Sequence, residues 1–353
     1  MARVRILLTG AAGFIGTATR RELAADGHDV VAVDLLLEQA HGAATRADPP
    51  PGVHRLDVRD AAAWAHLLRG ADAVVHLAAM VGAGATVADL PLYAGHNDLG
   101  TAALLAAMHA EGVDRFVQAS SMVVYGEGRY TCPEHGPQAP GPRTREALDA
   151  GAFDNPCPVC GGPLDWALVD EDAPLDARSS YAVSKVAQEG YAAAWARQSP
   201  GAAVSLRYHN VYGPGMPRDT PYSGVAAMFR SSLERGEPPT VFEDGRQMRD
   251  FVHVDDVARA NLAAVHAVLA APVASHRAVN VCSGSPIAIA DVARHVATGS
   301  GRDLEPRVTG QYRIGDVRHV VASPARARAE LGFVARVTPE EGLAAFATAP
   351  LRA

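Results

Sequence analysis

Two groups of residues in this chain combine side-chain type and spacing in ways that do chemistry. Tyr181 and Lys185, in SSYAVSKVAQEGYAAAWA, stand four positions apart and so share one face of a helix. A lysine cation there lowers the pKa of the phenol, and the phenolate can act as a general base towards a substrate hydroxyl. Ser121, in ASSMVVYG, offers a hydroxyl that can bond both that substrate oxygen and the tyrosine oxygen. The second group is Cys132-x-x-His135 followed by Cys157-x-x-Cys160. Thiolates and imidazole suit a tetrahedral Zn²⁺, and four protein ligands leave no open position, which makes the expected site structural rather than catalytic. A disulfide or a set of unrelated thiols are the alternatives for the cysteines. Tyr-x-x-x-Lys by itself also describes an ordinary surface pair, so its meaning depends on the elements around it.

Those elements begin at RVRILLTGAAGFIGTATRRELAADGHDVVAVD. Arg3 to Leu8 reads as a buried parallel strand. Gly10, Gly13 and Gly16 follow as G-x-x-G-x-x-G, then a helix, then the strand DVVAVD ending at Asp34. Glycines at such a turn let backbone approach a diphosphate, and the helix beyond offers free N–H groups and a favourable dipole. An acid at the end of the second strand accepts hydrogen bonds from the adenosine ribose and repels a 2′-phosphate, favouring NAD over NADP. The glycines alone are weak, but strand, glycines, helix, strand and acid in that order are strong. The βα alternation continues: GVHRLDVRD with Asp57 and Val58, ADAVVHLAAM with a strand over 73–77, the helix HNDLGTAALLAAMHAEGV, and the strand RFVQASS. This pattern implies an α/β fold with a doubly wound parallel sheet of Rossmann type. Asp57, Ala78 and Ser121 fall at strand ends, where ligands bind, although a lone Asp after a strand is more often a helix cap than a ligand.

The chain has 353 residues and a formal net charge of −7. That length accommodates two lobes, and the mild acidity gives no electrostatic reason to expect nucleic acid or an anionic membrane as partner. No apolar run is long enough to span a bilayer. The start MARVRILLTG enters a strand directly, without an apolar leader, so a cytoplasmic location with reduced thiols is expected.

The motifs TGAAGFIG, HLAA, NDLGT, SSMVVYG, YAVSK, LRYHNVYGPG and RDFVHVDDVARA together resemble the extended short-chain dehydrogenase/reductase family, in its branch of NAD-dependent nucleotide-sugar epimerases and dehydratases. The resemblance runs through most of the chain but not the Cys-rich segment. It implies that Gly10, Gly13, Phe14, Ile15 and Gly16 form the diphosphate loop, that Asp34 holds the ribose, and that Asp57 and Val58 meet the adenine. It implies further cofactor contacts at Leu77, Ala78, Ala79, Asn97, Ser120, Tyr208 and His209. Ser121, Tyr181 and Lys185 resemble the catalytic trio, the last two also lying against the cofactor. Substrate contacts implied are Ser121 and Met122 at the sugar, and Asn210, Arg249, Arg313 and Asp316 at the nucleoside diphosphate. Arginine suits a diphosphate because it binds bidentately.

Dehydratases resembling this branch carry Asp-Glu after the catalytic Ser, and related decarboxylases keep a Glu. Here those positions are Met122 and Val123, which transfer no proton. The expectation is therefore a nucleotide-sugar 4-epimerase with tightly held NAD, and the alternative is a 4-ketoreductase using external NAD(P)H. The expected domains are a Rossmann domain over 1–208 with 246–284, and a smaller α/β substrate lobe over 209–245 with 285–353. An insert at 127–178 forms the zinc module, which resembles a subgroup labelled dTDP-L-rhamnose 4-epimerase-like. A homodimer through the helices NDLGTAALLAAMHA and YAVSKVAQEGYAAAWA follows from the family resemblance.

Overall fold

The computed structural model describes residues 2–38, 40, 41, 48–82, 86–218 and 224–352. Residues 219–223 of the expected substrate lobe thus lie outside the described residues.

Seven parallel strands form the central sheet: β1 (Arg5–Thr9), β2 (Asp29–Asp34), β3 (Val53–Arg55), β4 (Ala73–His76), β5 (Arg115–Ser121), β6 (Ala202–Tyr208) and β7 (Ser275–Val281). Their spatial order is β7-β6-β5-β4-β1-β2-β3. Both faces are covered, which is why β1, β4 and β6 are near-continuous apolar runs rather than alternating ones. The helices that matter for the site are α1 (Phe14–Ala25), α2 (Gly100–Ala110), α3 (Ser180–Gln198) and α4 (Val254–Leu269). On one face Leu23 of α1 and Val257, Ala260 and Ala264 of α4 pack with Ile6, Leu8, Val75 and Val117. On the other, Leu104 and Met108 of α2 and Ala192 of α3 pack with Trp64, Leu7, Val74 and Phe116. Strand order reverses between β1 and β4, so the loops leaving their C-terminal ends diverge and open a crevice there.

Local differences from the sequence reading have simple causes. The first strand pairs from Arg5, not Arg3. The third ends at Arg55, and Asp57 instead caps the 3-10 segment Val58–Leu68 by accepting from Arg59 N at 2.9 Å. The helix expected from His96 begins earlier, at Leu90, and passes through a π-helical turn, Ala94–Leu99, before α2.

The smaller lobe is built on Val225–Glu234, Ile289–Gly299 and Pro339–Phe346, which bury Phe229, Val292, Val296, Leu343 and Phe346 around Tyr212 and Phe251. Ala327 and Phe333, within the stretch expected for this lobe, pack instead into the core of the central sheet. The insert between β5 and α3 is ordered. Gly136–Gln138, Arg129–Cys132 and Asp165–Ala167 make a three-stranded antiparallel sheet, and Thr144 caps a short helix at Arg145–Asp149. Its own core is only Tyr130, Cys132, Cys157 and Leu164. Among the described residues no helix is long and apolar enough to cross a membrane.

Candidate active site and metal cluster

The crevice at the strand ends is a cavity of ≈ 430 Å³. Its floor is the turn after β1. Gly10 has φ +67, and a Cβ there would stand 2.7 Å from Ala78 N; a Cβ on Gly16 would stand 1.9 Å from Gly10 O. Any side chain at either position would displace the strand-end backbone or the helix start. Gly13 is the N-cap of α1 and offers no side-chain cap, so the helix presents free N–H groups to the cavity.

Asp34 closes β2 and is almost fully buried. Its Oδ2 accepts from Ala12 N at 3.0 Å and its Oδ1 from Leu36 N at 2.8 Å, while His41 Nε2 stands 3.3 Å from Oδ1. Burial pushes the carboxyl upward. The hydrogen bonds from His41 and from the two backbone N–H groups outweigh it and hold the pKa below the usual carboxylate value. Asp57 also lines the cavity while pairing with Arg59.

At the other end stands the Ser–Tyr–Lys group. Ser179 caps α3 by accepting from Ala182 N at 3.1 Å, which places Tyr181 in the first turn of the helix and Lys185 in the next. Tyr181 lines the cavity, and the Ser121 hydroxyl at the end of β5, not itself in the lining, acts on its phenol. Lys185 Nζ lies 5.7 Å from the Tyr181 ring centroid and donates to Ala119 O at 3.0 Å. Burial dominates both groups. It pushes Tyr181 up to about 12 against the Ser121 hydrogen bond, and pulls Lys185 down to about 7 against the charge of Glu189. In the chain alone desolvation therefore outweighs what favours the phenolate.

Behind the trio α3 is fixed by buried polar bonds. Ser120 Oγ donates to Glu189 Oε1 at 2.5 Å, and Arg207 pairs with the same carboxylate through Nη2 at 2.8 Å. Arg207 Nη1 also donates to Tyr125 Oη at 2.8 Å. Asn97, on the π-helical turn, donates to Ser184 Oγ at 2.8 Å and exchanges two bonds with the Met80 backbone. It pins the strand-end segment to α3 and does not itself line the cavity.

Of the residues singled out by sequence, the cavity brings together Gly10, Gly13, Phe14, Ile15, Gly16, Asp34, Asp57, Val58, Leu77, Ala78, Ala79, Ser120, Tyr181, Lys185, Tyr208 and Asn210. Asn210 Oδ1 is buried without a hydrogen-bond partner. His209 is buried beside Arg249 outside the cavity wall, and burial drops its imidazole to about 3. Met122 opens the 3-10 turn Met122–Tyr125 and does not line this cavity. Arg249 is not presented to it either: its guanidinium donates to Met248 O, Arg318 O and Val317 O at 2.8, 2.9 and 2.6 Å. Arg313 lies 5.3 Å over the Phe242 ring, and the Asp316 carbonyl accepts from Arg143 of the insert at 2.6 Å. Sequence reasoning missed His41, Met216 and Arg352, which also line the cavity. No spacing marks them; they arrive from separate segments.

In the insert, Cys132, His135, Cys157 and Cys160 bring one ligand atom each to within 4.8 Å of one another. Cys132 Sγ stands 3.5 Å from His135 Nδ1 and 3.9 Å from Cys160 Sγ, and Cys157 Sγ stands 4.0 Å from His135 Nδ1. A tetrahedral zinc with bonds of about 2.3 Å to sulfur and about 2.0 Å to nitrogen has edges of about 3.8 Å and about 3.5 Å. The cluster fits that ion. All four cysteines are free thiols in this structure.

The insert is bolted to the smaller lobe. Glu127 Oε2 accepts from Tyr130 Oη, Asn155 Nδ2 and Arg318 N at 3.0, 3.0 and 2.9 Å. Arg143 donates to Glu243 at 2.8 Å, and Tyr312 Oη to Asp149.

Comparison with known proteins agrees with this geometry. A family model described as NAD dependent epimerase/dehydratase family matches residues 6–147 and 162–282, the gap falling on the part of the insert that holds Cys157 and Cys160. A dTDP-L-rhamnose 4-epimerase from Burkholderia thailandensis is 34% identical over 98% of this chain and 94% of that protein. A UDP-glucose 4-epimerase from Mycolicibacterium smegmatis is 31% identical over 97% of this chain and 96% of that protein. The solved structure of MoeE5 in complex with UDP-glucose and NAD superposes with a TM-score of 0.74 at 31% identity, covering 97% of both chains.

Proposed function

The chain belongs to the NAD-dependent epimerase/dehydratase family, and from that premise we propose that it is a nucleotide-sugar 4-epimerase working with NAD held in the cavity. One observation carries the reading. Tyr181 lines the cavity beside Lys185 with the Ser121 hydroxyl acting on its phenol, and the residues after Ser121 are Met122 and Val123, which cannot transfer a proton. The chain thus has a base for a hydroxyl at C4 and no acid–base pair for eliminating water.

Gly10 and the Gly13–Gly16 start of α1 suit the cofactor diphosphate, Asp34 the adenosine ribose, and Lys185 with Tyr208 the nicotinamide half. NAD bound there supplies the hydride acceptor and donor that takes C4 through a ketone and back. Tyr181 removes the proton from O4 and returns it, while Ser121 holds the same oxygen. Lys185 stabilises the phenolate, and the positive nicotinamide ring adds to that effect, together opposing the burial that keeps the phenol protonated. Asn210, with its unpartnered Oδ1 on the cavity, is suited to the nucleotide sugar. Arg249, Arg313 and Asp316 belong to the segment that shapes the same end of the site.

The four-residue cluster of the insert is proposed as a structural zinc site. Its support is the match of its edges to a zinc tetrahedron and the thinness of the insert's apolar core. We further propose a cytoplasmic homodimer of the chain, packed along α2 and α3, where Val183 and Tyr191 are exposed; light scattering tests the oligomer.

The test of the function is a panel of nucleotide sugars, dTDP-L-rhamnose and UDP-glucose among them, followed by NMR for inversion at C4. Inversion without added cofactor is the expected result. Protein that carries no NAD and consumes NADPH with a keto sugar would instead make it a ketoreductase.

A further inference from the structure

Arg352 lies 340 positions from the glycine-rich turn, yet its Nη1 donates to Ala12 O at 2.8 Å. Its Nη2 donates to Ala40 O at 3.1 Å, in the segment after β2 that also lines the cavity. The third nitrogen, Nε, is buried with no hydrogen-bond partner. The backbone is anchored just as firmly: Arg352 N donates to Met216 O at 3.0 Å, Arg218 N to Arg352 O at 3.0 Å, and Gly215 N to Pro350 O at 2.8 Å. Met216 and Pro217, in the turn so held, line the cavity too.

We infer that Arg352 is a cofactor-retaining residue, whose guanidinium meets the diphosphate of the bound dinucleotide and straps the smaller lobe across it. The inference rests on the reading that this cavity holds NAD, and goes beyond it. Charge supplies the first argument. Among the described residues lining the cavity, Lys185 and Arg352 are the lysine and arginine, and Lys185 stands at the Tyr181 end. Arg352 is therefore the cation at the other end, bonded to the residue just before the N-cap of α1. A diphosphate seated on that helix start needs more than a dipole to balance it, and a guanidinium offers paired donors of matching geometry. Its neighbour Asp34 keeps it oriented without consuming it: the two interact electrostatically and no bond joins them. Connectivity supplies the second argument. The side chain joins the turn at 215–218 to the Ala12 and Ala40 carbonyls beside Asp34, so this strap over the cofactor opens only if those bonds break. An epimerase gains from this, because its reduced cofactor must stay while the keto sugar turns over.

The experiment compares wild type, Arg352→Ala and Arg352→Lys. NAD content of the purified protein and the rate at which bound NAD exchanges with labelled NAD are read, with thermal unfolding of the cofactor-stripped proteins alongside. Losing a charge-assisted hydrogen-bonding group speeds NAD release in Arg352→Ala about 10-fold or more, with Arg352→Lys between the two. Raised salt speeds release from wild type more than from Arg352→Ala. An unchanged release rate in Arg352→Ala overturns the inference. So does a faster rate matched by an equal loss of melting temperature in both stripped variants, since that marks a structural role only. Wild type that binds no NAD at all would remove the underlying reading as well, a result distinct from either.

Discussion

The Arg318 guanidinium donates through Nε to Asp154 Oδ1 at 2.8 Å, joining the insert to the smaller lobe across 164 positions of sequence. Arg318 is fully buried, and its remaining nitrogens reach Glu243 and Asp244 at 2.7 to 2.9 Å. Its carbonyl, with that of Val317, holds Arg249. One residue therefore links the insert, through its side chain, to Glu243 and Asp244 and, through its carbonyl, to Arg249.

Replacing Arg318 by Met leaves Glu243 buried with less compensation, and about 3–5 kcal/mol of stability is lost. Asp154→Ala removes the outer, largely exposed partner of the same arginine and costs less than about 1 kcal/mol. Urea unfolding of the two variants checks the difference. Equal losses would mean that the insert, not the lobe, is what Arg318 stabilises.

Purified protein is expected to hold one zinc per chain, and Cys157→Ser to lose it. Asn155, two residues before Cys157, bonds Glu127, which holds the Arg318 backbone. Loosening the insert should therefore raise KM for the nucleotide sugar while leaving bound NAD in place, because no insert residue lines the NAD cavity among those described. Elemental analysis and steady-state kinetics read this out; zinc well below one per chain would count against the site.

Tyr181→Phe removes only the phenol oxygen, and kcat should fall about 100- to 10,000-fold. The ring stays packed near Tyr93, so folding and NAD content are expected to match wild type. A variant within a few-fold of wild type would remove Tyr181 from the chemistry.

The pKa shifts of Lys185 and Tyr181 make the cofactor-free chain pH-sensitive in a defined direction. Lys185 falls from 10.5 to about 7 on folding, so between those values the unfolded chain binds more protons and stability rises with pH. Tyr181 rises from 10.0 to about 12, so above pH 10 the folded chain binds more protons and stability falls. Denaturant unfolding across pH 6 to 11, wild type against Lys185→Met, isolates the first contribution: the rise above pH 7 should flatten in the variant. Parallel curves would show that Lys185 is not desolvated as described.

Much of the site was legible because the chemistry uses local spacing. G-x-x-G-x-x-G is readable since the turn demands positive φ at Gly10 and no Cβ at Gly16. Tyr181 and Lys185 are readable since a helix repeats every 3.6 residues. The two Cys/His pairs are readable since a knuckle supplies two ligands within one turn, and the backbone of Cys157 does close such a turn with Gly161 and Gly162. Asn97 and Arg249 show where this stops. The family resemblance implied ligand contacts for both, but the tertiary structure gives them protein partners that no local pattern announces.

By itself, then, the sequence determined the parallel sheet, the glycine-rich turn, the acid at the end of β2, the Ser–Tyr–Lys set and the four-residue Cys/His group of the insert. Each is written in residues close together or in a repeated βα rhythm. Only the tertiary structure decided that Arg352 and His41 complete the cofactor cavity, that Arg318 bolts the insert to the smaller lobe, and that Tyr181 and Lys185 are shifted against ionisation. Those outcomes depend on desolvation and on hydrogen bonds between segments distant along the chain, quantities that exist only once the chain has excluded water around them.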